Sequence, residues 1–222
     1  MPATEIIHWL LSTGRTYPTV AKFQAALVEQ LVEYAPVDRL WCGTTVLHPQ
    51  AAAYLWIWQR GSPPKERELG YAQFAQLEES DSPARRLKHG AAHVRFRHPE
   101  GEGMVDVADL WREGFRDLYG QSMLFRGAWV GGITWATRAE AGFTSTHLQF
   151  LEQLTPAITA IIEPLARDLV MVTLLRGDRR YKATSSPLAL VRRLQTYLFD
   201  VPKLHLHTNK REDSSAPPTF PT

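Results

Sequence analysis

QSMLFRGAWVGGITWATRAEAGFTSTHLQFLEQL, residues 121–154, is the stretch on which the reading of the fold turns. Two runs of β-favouring residues, 121–125 and 129–137, bracket Arg126, Gly127 and Ala128, and a glycine in so short a connection marks a β-hairpin. Gly142 then allows a sharp turn before Phe143, Thr144 or Ser145 can cap a helix, and a helical pattern runs over 146–175. In it Leu151, Ile158, Leu165 and Val172 fall seven apart, and Leu154, Ile161 and Leu175 form the complementary series with Asp168 as its polar member. That spacing predicts a partner-facing seam, and hence a homodimer through the terminal helices. Pro156 and Pro164 each remove a backbone hydrogen bond and argue against an undisturbed coiled coil.

Upstream, Val20, Phe23, Leu27, Leu31 and Tyr34 are spaced by three and four, which predicts an amphipathic helix with Pro18 in its first turn and Pro36 beyond its end. Residues 39–47 and 54–58, separated by His48, Pro49 and Gln50, read as two antiparallel strands. A polar middle, 65–103, holds a short helix near 82–89, and 91–97 alternates as a half-exposed strand with Val94 and Phe96 on one side and His93, Arg95 and Arg97 on the other. A further helix is expected over 106–115. The sum is an α+β domain with a mostly antiparallel sheet of five to six strands and the N- and C-terminal helices packed on one face. Its expected divisions are a lead-in at 1–18, the body at 19–145, the long helix at 146–176 and a divergent, partly disordered tail at 177–222.

Composition excludes whole classes. With 25 Lys and Arg against 23 Asp and Glu the formal charge is +2, too small to hold the chain on nucleic acid or an anionic membrane. The single cysteine, Cys42, rules out an internal disulfide and a multi-cysteine zinc site. Apolar runs such as 169–175 are far below the roughly 18–20 residues that a bilayer requires, so a cytoplasmic protein without membrane contact is expected.

Several phrases of the sequence then occur in a telling order. They are Thr45-Val46-Leu47-His48-Pro49, Leu55-Trp56-Ile57-Trp58, Ser82-Pro83, residues 113–119 (EGFRDLY), Ile133-Thr134-Trp135-Ala136-Thr137 and Ala141-Gly142-Phe143. Across about 160 residues this order resembles the GAF-like sensory region that precedes the catalytic domain in bacterial class III adenylate/guanylate cyclases. The resemblance implies a regulatory domain that passes a bias along its last helix, in cyclic nucleotide signalling. It would place two metal-binding aspartates in a following catalytic domain, whereas the sequence departs from the family after Leu174-Leu175-Arg176, so cyclase activity is not carried over. A stand-alone module for an anionic small molecule, or a truncated fragment, are the alternatives.

The chemistry-bearing residues support no enzyme. There is no Gly-rich phosphate loop and no Ser/His/Asp order, and Cys42 reads as a small buried hydrophobe. His89, His93 and His98 are interleaved with Arg95 and Arg97, whose charge would repel a cation, so no metal and no cofactor is expected. The ligand-facing candidates are Arg95 and Arg97 for an anion, His93 beside them, and Trp56, Trp58 and Trp135, which either pack the sheet against its helices or line a pocket.

Overall fold

A computed structural model describes residues 2–175. The elements run α1 (Pro2–Ser12), a 3-10 turn (Gly14–Thr16), α2 (Val20–Leu31), β1 (Arg39–Thr45), β2 (Ala51–Gln59), β3 (Ser62–Gly70), α3 (Tyr71–Glu79), α4 (Pro83–Lys88), β4 (His93–Arg97), α5 (Val105–Arg112), β5 (Asp117–Phe125), β6 (Ala128–Thr137) and α6 (Ser145–Leu175). The six strands form one antiparallel sheet in the order β3-β2-β1-β6-β5-β4. The central β1–β6 pair joins residues almost a hundred apart in sequence, with Leu40 opposite Trp135.

Each face of the sheet is covered by a different set of helices. On one face Leu40, Cys42, Tyr54, Trp56, Tyr119, Met123, Ile133 and Trp135 meet α1, α2 and α6 in a single core with Leu10, Phe23, Leu27, Leu31, Leu151, Leu154, Ile158 and Ile162. On the other, Val94, Phe96, Leu118 and Ala136 pack with Leu87 of α4, with Val107, Leu110 and Trp111 of α5 and with Phe115. The terminal helices therefore share a face, as the sequence predicts. α2 begins at Val20 with the Thr19 side chain accepting from the Lys22 amide, which puts Pro18 ahead of the cap rather than inside the first turn. In the β5–β6 hairpin Arg126 and Gly127 both have positive φ, 53° and 79°, the left-handed pair that matches the twist of the flanking strands.

Two elements of the polar middle are not anticipated by periodicity. β3 is an edge strand in which Lys65, Glu66, Arg67 and Glu68 are all exposed, so it lacks the apolar alternation of a half-buried strand, and Pro63 and Pro64 are tolerated there. α3 follows it with no fully buried side chain described. β5 also begins at Asp117, four residues before the predicted start.

α6 runs unbroken through Pro156 and Pro164. Both prolines face solvent, and the Thr159 hydroxyl donates to the Thr155 carbonyl on the inner side. The seven-residue series does not form an outward seam: Leu151, Leu154, Ile158 and Ile161 are buried in the chain's own core and Leu165 packs against it, and of the apolar members whose side chains are described Val172, 42% exposed, turns outward. The seam's periodicity is real, but the sheet uses it, since a helix closing a sheet face needs the same apolar stripe as a helix facing a partner. The tail, 177–222, lies outside the described residues.

Candidate functional site

The six ligand-facing candidates all lie on the face closed by α1, α2 and α6. Trp56 and Trp135 are fully buried there and Trp58, partly buried, packs against the same core, so the three indoles serve it. Each polar end is satisfied where it is buried: Trp56 Nε1 donates to Glu66 at 2.8 Å and Trp135 Nε1 to Gln121 Oε1 at 2.9 Å. A pocket between the sheet and the polar middle cannot include them, because α4 and α5 cover the opposite face.

Arg95 is likewise committed. It donates Nε to Asp117 Oδ1 at 3.2 Å, and Nη2 to Asp117 Oδ2 and to the Phe143 carbonyl, both at 2.6 Å. Arg97 is exposed and reaches the Ala141 carbonyl at 3.3 Å, while its amide donates to Glu100. His93 is exposed beside Tyr119, with ring centroids 5.8 Å apart. Arg95 thus holds the loop before α6, while Arg97 touches the same loop through one donor and stays exposed. Among the described residues no group of three or more His, Cys, Asp or Glu is placed to hold a metal ion.

What this face builds is a polar row along β5. Asp117, Tyr119 and Gln121 point to the same side because side chains on one face of a strand recur every second residue. Asp117, wholly buried, accepts from Arg95 and from the Phe143 amide at 2.8 Å. Gly142, with φ 66°, has no side chain to spare: an added Cβ would stand 2.5 Å from Asp117 Oδ2. Tyr119 donates its hydroxyl to Glu152 in a short hydrogen bond, and burial, then Glu152, raises the phenol's pKa. Gln121 Oε1 accepts from both Trp135 and the Thr155 hydroxyl, at 2.9 and 3.0 Å. Three successive inward residues of one strand therefore bind the start of α6 and the loop leading into it. Thr144 closes the junction as the helix cap, its hydroxyl accepting from the His147 amide while His147 Nδ1 accepts from the Thr144 amide.

The reverse side of β5 meets α4. The Ser122 hydroxyl donates to the Ala91 carbonyl at 2.8 Å, with the Leu87 carbonyl of α4 a second acceptor for the same proton at 3.1 Å, and the Leu87 side chain lies over Gly120 and Gly132, where a Cβ would come within 3.4 and 3.2 Å of its methyl. Next to that contact Trp41, Leu55 and Ile57 remain partly exposed on β1 and β2. Partial burial, then Asp109, pushes the Asp106 carboxyl of α5 up, and the charge of Arg67 offsets part of that rise. β5 thus separates a partly open α3–α5 face from α6.

Sequence reasoning missed Asp117, Tyr119 and Gln121. Their alternation with Leu118 and Gly120 was a usable signal of shared facing, but periodicity does not say which face is dry when both are covered.

Cys42 sits beneath α2, wholly buried, and burial pushes its thiol up to about 12, partly offset by a hydrogen bond with Gln24. At pH 9 roughly one thiol in a thousand is then ionised in the native chain, so an alkylating reagent should react only after unfolding. Stoichiometric labelling of the folded protein at pH 8 within minutes would contradict this placement.

The fold is that of a GAF domain. The GAF domain of a two-component sensor histidine kinase from Bacillus halodurans superposes with a TM-score of 0.50 at 12% identity, covering 67% of this chain and 97% of its own. The GAF domain of a phosphoenolpyruvate-protein phosphotransferase from Coxiella burnetii gives 0.48 at 12% identity, covering 74% of this chain and 94% of its own. No protein-family model matches the chain, and no curated protein matches it. Among the described residues no helix is long and apolar enough to cross a membrane.

Proposed function

We propose that the chain is a regulatory sensor domain whose output element is α6. The polar row on β5 is the observation that supports this most directly: one strand touches α4 on one side and fastens the start of α6 on the other, so a change in packing against α4 has a short physical route to the helix. The part-exposed Trp41, Leu55 and Ile57 mark the input side, and Met171, Val172 and Leu174, exposed at the far end of α6, mark the output. The finer reading, a sensor of an adenylate or guanylate cyclase-type signalling protein, draws its support from the ordered phrases of the sequence.

The test is hydrogen exchange. Leu87→Ala thins the α4 contact on the far side of the sheet, and we expect amides of residues 145–159 to exchange at least several-fold faster, with little change in α2. Val105→Ala, 74% exposed at the start of α5 and outside the input residues, should leave α6 unaffected. If Leu87→Ala accelerates exchange only in α4 and β4, β5 does not couple the two layers. For the finer reading, the chain placed ahead of a class III cyclase catalytic domain should confer an activity that Leu87→Ala alters; indifference to that substitution would remove it.

A further inference from the structure

The outer surface of α1 and α2 carries a groove of about 300 Å³, lined by Ile6, Trp9, Val32 and Tyr34 with Glu5, Glu29 and Glu33 around them. Val32 is 54% exposed, an unusual position for a valine, and the three glutamates are exposed with no cation paired to any of them among the described residues. A groove more polar than apolar, with three exposed glutamates around Trp9, Val32 and Tyr34, fits a basic segment that carries some apolar residues.

This chain contains such a segment. Residues 176–222 hold nine of the 25 Lys and Arg and four of the 23 Asp and Glu, net +5, which leaves residues 1–175 at −3. Within them Leu188, Val191, Leu194 and Leu198 recur at helical spacing beside Arg192 and Arg193, with no acidic residue over 188–199.

Reach decides which copy supplies it. Tyr34, in the groove, packs against Phe150 near the start of α6, with ring centroids 5.5 Å apart and the rings tilted by 46°. From Phe150 to Leu175 the helix rises about 37 Å at ~1.5 Å per residue. The 12 residues 176–187 span at most about 43 Å when fully extended, so a chain could serve its own groove only with this connection drawn nearly straight. A second copy meets no such limit.

We propose that the α1/α2 groove is a docking site for the 188–199 segment of a second copy of this chain, with Arg192 and Arg193 set against Glu29, Glu33 and Glu5. The contact rests on no part of the sensor reading. Sedimentation of the full chain tests it. The wild type is expected to associate with rising concentration, more weakly at 0.5 M salt, while Glu29→Lys/Glu33→Lys and Arg192→Glu/Arg193→Glu each associate at least tenfold more weakly with unchanged circular dichroism. Mixing the two variants should restore association, since a lysine-bearing groove then meets a glutamate-bearing segment. A wild type that stays a single chain up to high micromolar concentration overturns the proposal. So do charge variants that associate like the wild type, or an association abolished only by Val172→Glu at the end of α6.

Discussion

Trp135→Ala is expected to lower the stability of the chain by about 4 kcal/mol, within the roughly 3–5 kcal/mol typical of a large aromatic removed from a closed core. The indole is wholly buried at the centre of the sheet, opposite Leu40 on β1 and Tyr119 on β5, beneath the terminal helices. Neighbours anchored in a sheet cannot collapse into the space left behind, and the Trp135–Gln121 hydrogen bond is lost as well. For a chain of this size the melting temperature should fall by about 8–16 °C. Trp135→Phe keeps most of the packing and should cost about 1–2 kcal/mol, because Gln121 Oε1 still accepts from Thr155. Urea unfolding of the two variants at unchanged m-value is the measurement. A loss below 1 kcal/mol for Trp135→Ala would mean the ring lines open space, as a ligand-facing tryptophan would.

Asp117→Ala should cost about 2–4 kcal/mol, somewhat below the range for a fully buried ion pair, because the Arg95 side chain keeps 29% of its surface exposed and water can partly re-solvate it. The carboxylate binds one guanidinium at two points and one backbone amide, so its removal strands two sets of donors at the entrance to α6. Asp117→Asn, close in shape, retains an oxygen for the Phe143 amide but loses the charge that faces Arg95, and should fall between wild type and alanine. A double-mutant cycle with Arg95→Leu separates the pair from the rest: a coupling above about 1 kcal/mol is expected, and additivity of the two substitutions would show that they do not act as a unit. In hydrogen exchange the same substitution should loosen residues 143–150 before any other part of α6.

These two sites show how much of the molecule was open to reading. The hairpin at 121–137, the stripe on α2 and the long final helix followed from spacing, turn chemistry and capping, all of which act over a few residues. Trp135 was legible as a large residue that either packs or lines, and its neighbours across β1 and β5 decide for packing. Arg95 is legible as a charge on one side of a strand, and an anion is the expected contact because no local pattern marks its partner, Asp117, 22 positions away. The heptad series of α6 has the spacing of a partner's seam, yet it faces the chain's own sheet. β3 escaped because an edge strand with both faces wet has no apolar period to detect.

By itself, then, the sequence determined the local elements, the α+β class and the sharing of one face by the terminal helices. The tertiary structure alone decided that the three tryptophans are core, that Arg95 belongs to Asp117, and that β5 carries a polar row into α6. The reason is physical: periodicity and capping are set by neighbours within a few residues, whereas what a buried side chain touches depends on pairings between segments far apart, which a single strand's alternation does not encode.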